Sequence, residues 1–174
     1  MNIAIVGATG NVGRKTLEVL EKKELPIDNL YLLASSKSVG TKILFKGEDH
    51  KVSDLKNFDF SKVKIAFFAA GRKISEEFAG KAAKHSIVID NSSYYRMDPD
   101  VPLIVPQVNA DHLNNINKNI IANPNCSTAQ LVIVLKPLHD LFSIKRIVVS
   151  TYQSVSGGGK APMDELIEQT NSVL

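Results

Sequence analysis

Asn2-Ile3-Ala4-Ile5-Val6-Gly7-Ala8-Thr9-Gly10-Asn11-Val12-Gly13 is the stretch whose reading decides the fold. Asn2 to Val6 is an apolar strand. Gly7-x-x-Gly10-x-x-Gly13 is a tight turn, and Leu17, Val19 and Leu20 carry the helix that follows it to about Lys23. Strand, glycine turn and helix in that order are the first half of a parallel crossover unit.

The same alternation continues outward. Pro26 breaks the chain before a second strand, Leu30 to Ala34, and short strands are expected near Ile43–Phe45 and His50–Val52. Lys64 to Ala69 reads as a buried strand, Ile74 to His85 as a helix, and Ser86 to Asp90 as another strand. Ser92 to Asn109, with Pro99, Pro102 and Pro106, reads as a long ordered loop, a kind of segment that is often functional. Ile120 to Ala122 is a last short strand. The predicted class is α/β, a Rossmann-like doubly wound parallel sheet with right-handed crossovers.

After Cys126 the run Ala129, Leu131, Val132, Ile133, Val134, Leu135 predicts a buried helix. Ile144 to Tyr152 then predicts a long strand, and Ala161 to Leu174 a final helix. That strand and helix read as the opening of a second, α+β domain. The expected division is 1–125 and 126–174.

Composition narrows the class further. With 174 residues, 44% hydrophobic and 22% charged, the chain can bury a real core. No apolar stretch is long enough to span a membrane, and the N-terminus lacks a signal-peptide pattern. A single cysteine excludes an internal disulfide and points to a reducing cytoplasm. The net charge of +3 is modest and its lysines are scattered, which argues against a nucleic-acid partner. The histidines His50, His85, His112 and His139 are far apart, and no metal site is expected.

Three segments carry candidate chemistry. In the glycine turn, Gly7, Gly10 and Gly13 permit close backbone approach to a pyrophosphate, which the helix N-terminus would hold. A plain strand–helix turn is the alternative, and dinucleotide binding is preferred. After the second strand comes Ala34-Ser35-Ser36-Lys37-Ser38, where an NAD site would carry an acid for the ribose hydroxyls. Hydroxyls and a lysine suit a 2′-phosphate, so NADP is expected over NAD. Cys126, in Asn123-Pro124-Asn125-Cys126-Ser127-Thr128, stands at a helix start, beside unpaired N–H groups and the positive end of the helix dipole. That is a setting for a covalent nucleophile; it is equally a place for a small buried core residue.

Taken together the chain resembles the aspartate-semialdehyde dehydrogenases. The matching segments are GATGNVG at 7–13, ASSKSVG at 34–40, FFAAG at 67–71, IDNSSYYRMDPDVPLIVPQVN at 89–109, NPNCSTAQ at 123–130 and STYQSVSGGGK at 150–160. The N-acetyl-glutamyl-phosphate reductases share the architecture but typically carry Gly-Cys at the nucleophile, so Asn125-Cys126-Ser127-Thr128 argues against them. The resemblance implies NADPH-dependent reduction of aspartyl phosphate to aspartate semialdehyde with release of phosphate, on the route to lysine, methionine and threonine. It implies that Cys126 attacks the acyl carbon to form a thioester, which hydride from the nicotinamide collapses. Arg96 would grip the phosphate, Gln153 would orient the substrate, and the backbone N–H of Asn125 would support the oxyanion. Thr9, Gly10, Asn11 and Val12 would line the pyrophosphate, with Lys37 and Ser38 near the 2′-phosphate. Ala70 and Gly71 would leave room for the cofactor, and Ser156 and Gly157 would pack near the nicotinamide.

The resemblance also implies a protein roughly twice this long. The family's catalytic histidine and the arginine for the substrate carboxylate lie in its second half, and no residue here matches either. The chain is therefore expected to be the N-terminal half, weak or inactive alone; the full-length family implies a homodimer or homotetramer, and a companion chain is the candidate carrier of the missing half. The competing readings are a non-catalytic NADP-binding module and a fragment that folds poorly.

Overall fold

β1 (Asn2–Val6) lies inside a six-stranded sheet, paired in parallel with β2 (Asn29–Ala34) on one side and β6 (Ile65–Phe68) on the other. The computed structural model describes residues 1–174 and divides into two compact units, Met1–Pro124 and Asn125–Leu174. In the first unit β5 (Ser53–Asp54), β7 (Ile87–Asp90) and β8 (Ile120–Ala122) complete the sheet in the order β5-β2-β1-β6-β7-β8, all parallel. The chain leaves β1 in one direction for β2 and returns past it to β6. This reversal beside β1 makes a crevice at the C-terminal strand ends, the usual ligand position in open α/β sheets. The fold is the expected Rossmann-like α/β class.

Side-chain alternation explains why β1 is apolar throughout. Ile3 and Ile5 join one buried cluster with Leu17 and Leu20 of α1 (Asn11–Lys22). Ala4 and Val6 join a second with Phe78, Ala79 and Ala82 of α2 (Arg72–Ala82). The two expected short strands pair antiparallel as β3 (Lys42–Phe45) and β4 (Glu48–Lys51). Lys46 and Gly47, both at positive φ, turn this hairpin. Ile43 and Phe45 face inward, so the hairpin closes the cluster under α1.

Ser92 to Asn109 is largely a loop, but its end forms a short helix, α3 (Pro106–Asn109). Proline cannot donate an N–H and has φ preset for a helix start, so Pro106 opens this short helix at its first position. Val101, Ile104 and Val105 are buried, and the Asn109 side chain bonds Val105 N–H at 2.9 Å and the Leu103 carbonyl at 2.9 Å.

The second unit differs from expectation in two respects. α4 (Cys126–Phe142) begins at the cysteine, as the apolar run predicts, but none of its residues is buried. Val134, Leu141 and Phe142 are mainly exposed. Burial needs an opposing layer, and Asn125–Leu174 holds only α4, a 3₁₀ turn at Val155–Gly158 and α5 (Lys160–Val173). The expected strand from Ile144 to Tyr152 does not form; residues 143–154 carry no regular element. A strand persists through its ladder, and this unit offers no second strand to pair with.

Candidate functional site

The glycine turn is built by contact as much as by flexibility. Gly7 has φ +85°, and a Cβ on it would lie 2.7 Å from the Ala69 carbonyl oxygen beyond β6. A Cβ on Gly13 would lie 2.2 Å from the carbonyl oxygen of Gly7. The first glycine therefore lets β1 and β6 end side by side, and the last lets α1 press against the turn. The Leu33 carbonyl at the end of β2 accepts from the N–H groups of Gly7 at 2.8 Å and Ala8 at 3.2 Å, tying the turn to the next strand. α1 starts from Gly10 with no side-chain cap, so its first turn stays accessible to an anion.

Thr9, Asn11, Val12, Ala70 and Gly71 stand on this same rim, at the ends of β1 and β6. Ser36, Lys37 and Ser38 form a 3₁₀ turn after Ser35 at the end of β2, with the Lys37 side chain exposed. Beside α1 a cleft of about 360 Å³ is lined by Val12, Thr16, Phe67, Ala69, Asn91 and Asn123 among others.

Arg96 belongs to the same edge. Its Nε donates to the Asn123 carbonyl at 2.9 Å and its Nη2 to the Asn91 carbonyl at 3.2 Å. Two backbone oxygens beyond β7 and β8 thus hold one side of the guanidinium. The Asn123 side-chain amide also donates to the Asn91 side-chain oxygen, bracing the two segments. Asp98 and Asp100 both pair with Lys118, at 2.9 and 3.1 Å, clamping the loop that carries Arg96 to the approach to β8. The Lys118 ammonium holds the Asp98 carboxyl below its usual range, helped by the Asp100 N–H, and the pKa of Lys118 rises in turn. Burial, then the neighbouring Tyr94, Asp90 and Asp98, push the Tyr95 hydroxyl up.

In the second unit Cys126 is exposed at the first position of α4, so it is not the buried core residue that its type allows. Asn125 caps the helix through its side chain: Oδ1 accepts from Ser127 N–H at 3.0 Å and the Ser127 hydroxyl at 2.7 Å. The Cys126 thiol lies 3.6 Å from the same oxygen and 3.9 Å from Oε1 of Gln153. Gln153 lies across Gly157, where a Cβ would come within 2.3 Å of its Nε2. The Ser156 hydroxyl meets that of Ser154 at 2.5 Å.

Sequence reasoning missed Asp90, Asn91 and Asn123. The signal was present: each is polar and ends or directly follows an apolar strand, where ligand-facing residues of α/β sheets concentrate.

Residues 2–116 match the family described as semialdehyde dehydrogenase, NAD binding domain, and residues 135–174 the semialdehyde dehydrogenase dimerisation domain. The aspartate-semialdehyde dehydrogenase of Rickettsia bellii is 51% identical over 173 residues, 98% of this chain and 51% of that protein. The crystal structure of aspartate semialdehyde dehydrogenase II from Vibrio cholerae, complexed with ASA, superposes with a TM-score of 0.94 at 50% identity, covering 99% of this chain and 52% of that one. The Candida albicans enzyme with NADP gives 0.68 at 29% identity, over 83% of this chain and 48% of that one. The chain spans about half the length of the curated relatives it matches. It belongs to the semialdehyde dehydrogenase family.

Proposed function

We propose that this chain supplies the cofactor domain and the nucleophile of an NADP-dependent reductive dephosphorylation of L-aspartyl 4-phosphate to L-aspartate 4-semialdehyde. The observation that carries this is the exposed thiol of Cys126 at the start of α4, beside the Gln153 amide. Its sulfur attacks the acyl carbon, the carbon–oxygen bond to phosphate breaks, and inorganic phosphate leaves a thioester on Cys126. Arg96, held by two carbonyls on one side, offers the rest of its fork to the phosphate. Gln153 orients the acyl group, and the backbone N–H of Asn125 serves the oxyanion.

The residues present fit a dinucleotide. The cradle at Gly7 and Gly13 would be filled by any Cβ, and α1 opens uncapped at Gly10. Thr9, Gly10, Asn11 and Val12 would hold the pyrophosphate, Ser35 to Ser38 with Lys37 a 2′-phosphate, and Ala70 and Gly71 would leave room for the cofactor. Ser156 and Gly157 would face the nicotinamide. When bound, the reduced cofactor supplies the hydride that takes the thioester to the aldehyde.

The domain assignment proposed is 1–125 for the cofactor and 126–174 for catalysis and dimerisation, in a cytoplasmic homodimer or homotetramer. The proton-transferring base and the partner of the substrate carboxylate come from outside residues 1–174, and general acid–base help alone is worth about 10²–10⁴-fold. The test mixes the 174-residue protein with aspartate semialdehyde, phosphate and NADP and follows reduced-cofactor absorbance, with and without a chain carrying the remaining half. Turnover that needs the second chain supports the proposal. Ordinary turnover by the 174 residues alone overturns its division of labour, and cofactor binding without turnover in either mixture favours a binding module.

A further inference from the structure

Asp90 ends β7, is completely buried, and forms no ion pair. Both of its oxygens are nonetheless used. Oδ1 accepts from the Ser75 hydroxyl of α2 at 2.7 Å and from Ser92 N–H at 3.0 Å. Oδ2 accepts from the Ser92 hydroxyl at 2.8 Å. A buried carboxyl is costly unless such donors surround it, so three donors converging on one is an arrangement that specifies a geometry.

That geometry leads to Arg96 by two routes. Along the chain, the Ser92 oxygen that donates to Asp90 also accepts from Tyr94 N–H at 3.1 Å, so the first turn of the loop toward Arg96 is pinned at both ends. Across the sheet, the Asp90 carbonyl accepts from Asn123 N–H at 2.8 Å. The two carbonyls that hold the guanidinium belong to Asn91, next in the chain to Asp90, and to Asn123, bonded to it. Both carbonyls that hold the guanidinium are therefore one covalent or hydrogen-bonded step from Asp90.

We propose that Asp90, through Ser92, is the positioning residue for Arg96, and that it sets how tightly the site takes a phosphoryl group without touching that group. This rests on the reading of Arg96 as the phosphate grip. Ser75 anchors the same carboxyl to α2, so the helix and the loop share one fixed point. Asparagine at 90 can keep the pattern: its oxygen accepts as Oδ1 does, and its amide can donate to the Ser92 oxygen. Alanine leaves two hydroxyls and an N–H buried without an acceptor.

The experiment measures KM for inorganic phosphate, KM for NADP and kcat in the active mixture described above, for Ser92→Ala, Asp90→Asn, Asp90→Ala and Arg96→Lys, with thermal unfolding of each. Ser92→Ala, which keeps the buried carboxyl on Ser75 and the backbone, guards against a variant at 90 that fails to fold. The expected result is a phosphate KM raised about tenfold by Ser92→Ala, more by Asp90→Ala, and largely rescued in Asp90→Asn, with NADP KM unchanged. In an Arg96→Lys background Ser92→Ala should add little, because the group it aims is already gone. If Arg96→Lys raises the phosphate KM while Ser92→Ala and Asp90→Ala lower only the melting temperature, the positioning role is wrong and the proposed function stands. If Arg96→Lys itself leaves the phosphate KM unchanged, or no mixture turns over, the reading of Arg96 fails and the inference fails with it.

Discussion

Gly13 presses its Cα against the carbonyl of Gly7 so closely that a single added carbon would stand 2.2 Å from that oxygen. The neighbour is backbone, braced by Leu33 and Ala69, and cannot turn aside as a side chain would.

Gly13→Ala is therefore expected to lift α1 off the turn. The loss should reach at least the roughly 1–3 kcal/mol typical of overpacking. Dinucleotide binding should fall with it, because the glycine turn and the helix start move together. Thermal unfolding and a cofactor fluorescence titration check both; an alanine variant that binds cofactor normally would contradict the close-packed cradle.

NADPH should bind more tightly than NADH, because the turn after β2 offers Ser36, Lys37 and Ser38 where an acid would serve free ribose hydroxyls. Lys37→Ala together with Ser38→Ala should erase most of that preference while leaving NADH affinity alone. Parallel titrations with the two cofactors read the ratio directly, and equal affinities in the unmodified chain would refute the assignment.

Gly157 matters through Gln153. A Cβ at 157 would overlap the Gln153 amide, which lies 3.9 Å from the Cys126 thiol. Gly157→Val should displace that amide and cost turnover on the order of 10²-fold, the scale of an ångström-sized misplacement. Gln153→Ala should do the same, and the double variant should be no worse than either. Additive losses in the steady-state rates would separate the two residues.

The Asp98–Lys118 clamp has a definite pH window. Asp98 has its pKa lowered in the folded chain, so its contribution is present above the ordinary carboxylate range and is lost as pH falls through the lowered value. Lys118 has its pKa raised, so its contribution is complete below the ordinary lysine range and is lost as pH rises through the raised value. Lys118→Met should lower the melting temperature slightly at neutral pH, and the difference should vanish in strong acid. The effect is small because the lysine is solvent-exposed and screened. A melting difference that persists unchanged in acid would show that packing, and not the ion pair, holds the loop.

The glycine turn and the hydroxyl-rich turn after β2 were legible in the sequence because their signals are local. Gly7, Gly10 and Gly13 lie within one turn and helix start, and the acid-free Ser35 to Ser38 follows its strand directly. Arg96 was singled out only through family likeness, since an arginine in a loop has no periodicity to mark it. Asp90 was read as the end of a strand, because nothing in Ile87-Val88-Ile89-Asp90 reveals that Ser75 of α2 and Ser92 of the loop will converge on it.

The chain after Asn125 shows the boundary most clearly. By itself the sequence determined that a helix begins at Cys126, because capping by Asn125 and the following helical run are settled within a few residues. It also determined the parallel sheet, because an apolar strand can be satisfied only by cover on both faces. Whether Ile144 to Tyr152 pairs as a strand, and whether α4 is buried, were decided by tertiary structure alone. Both need a second surface, and residues 125–174 do not contain one.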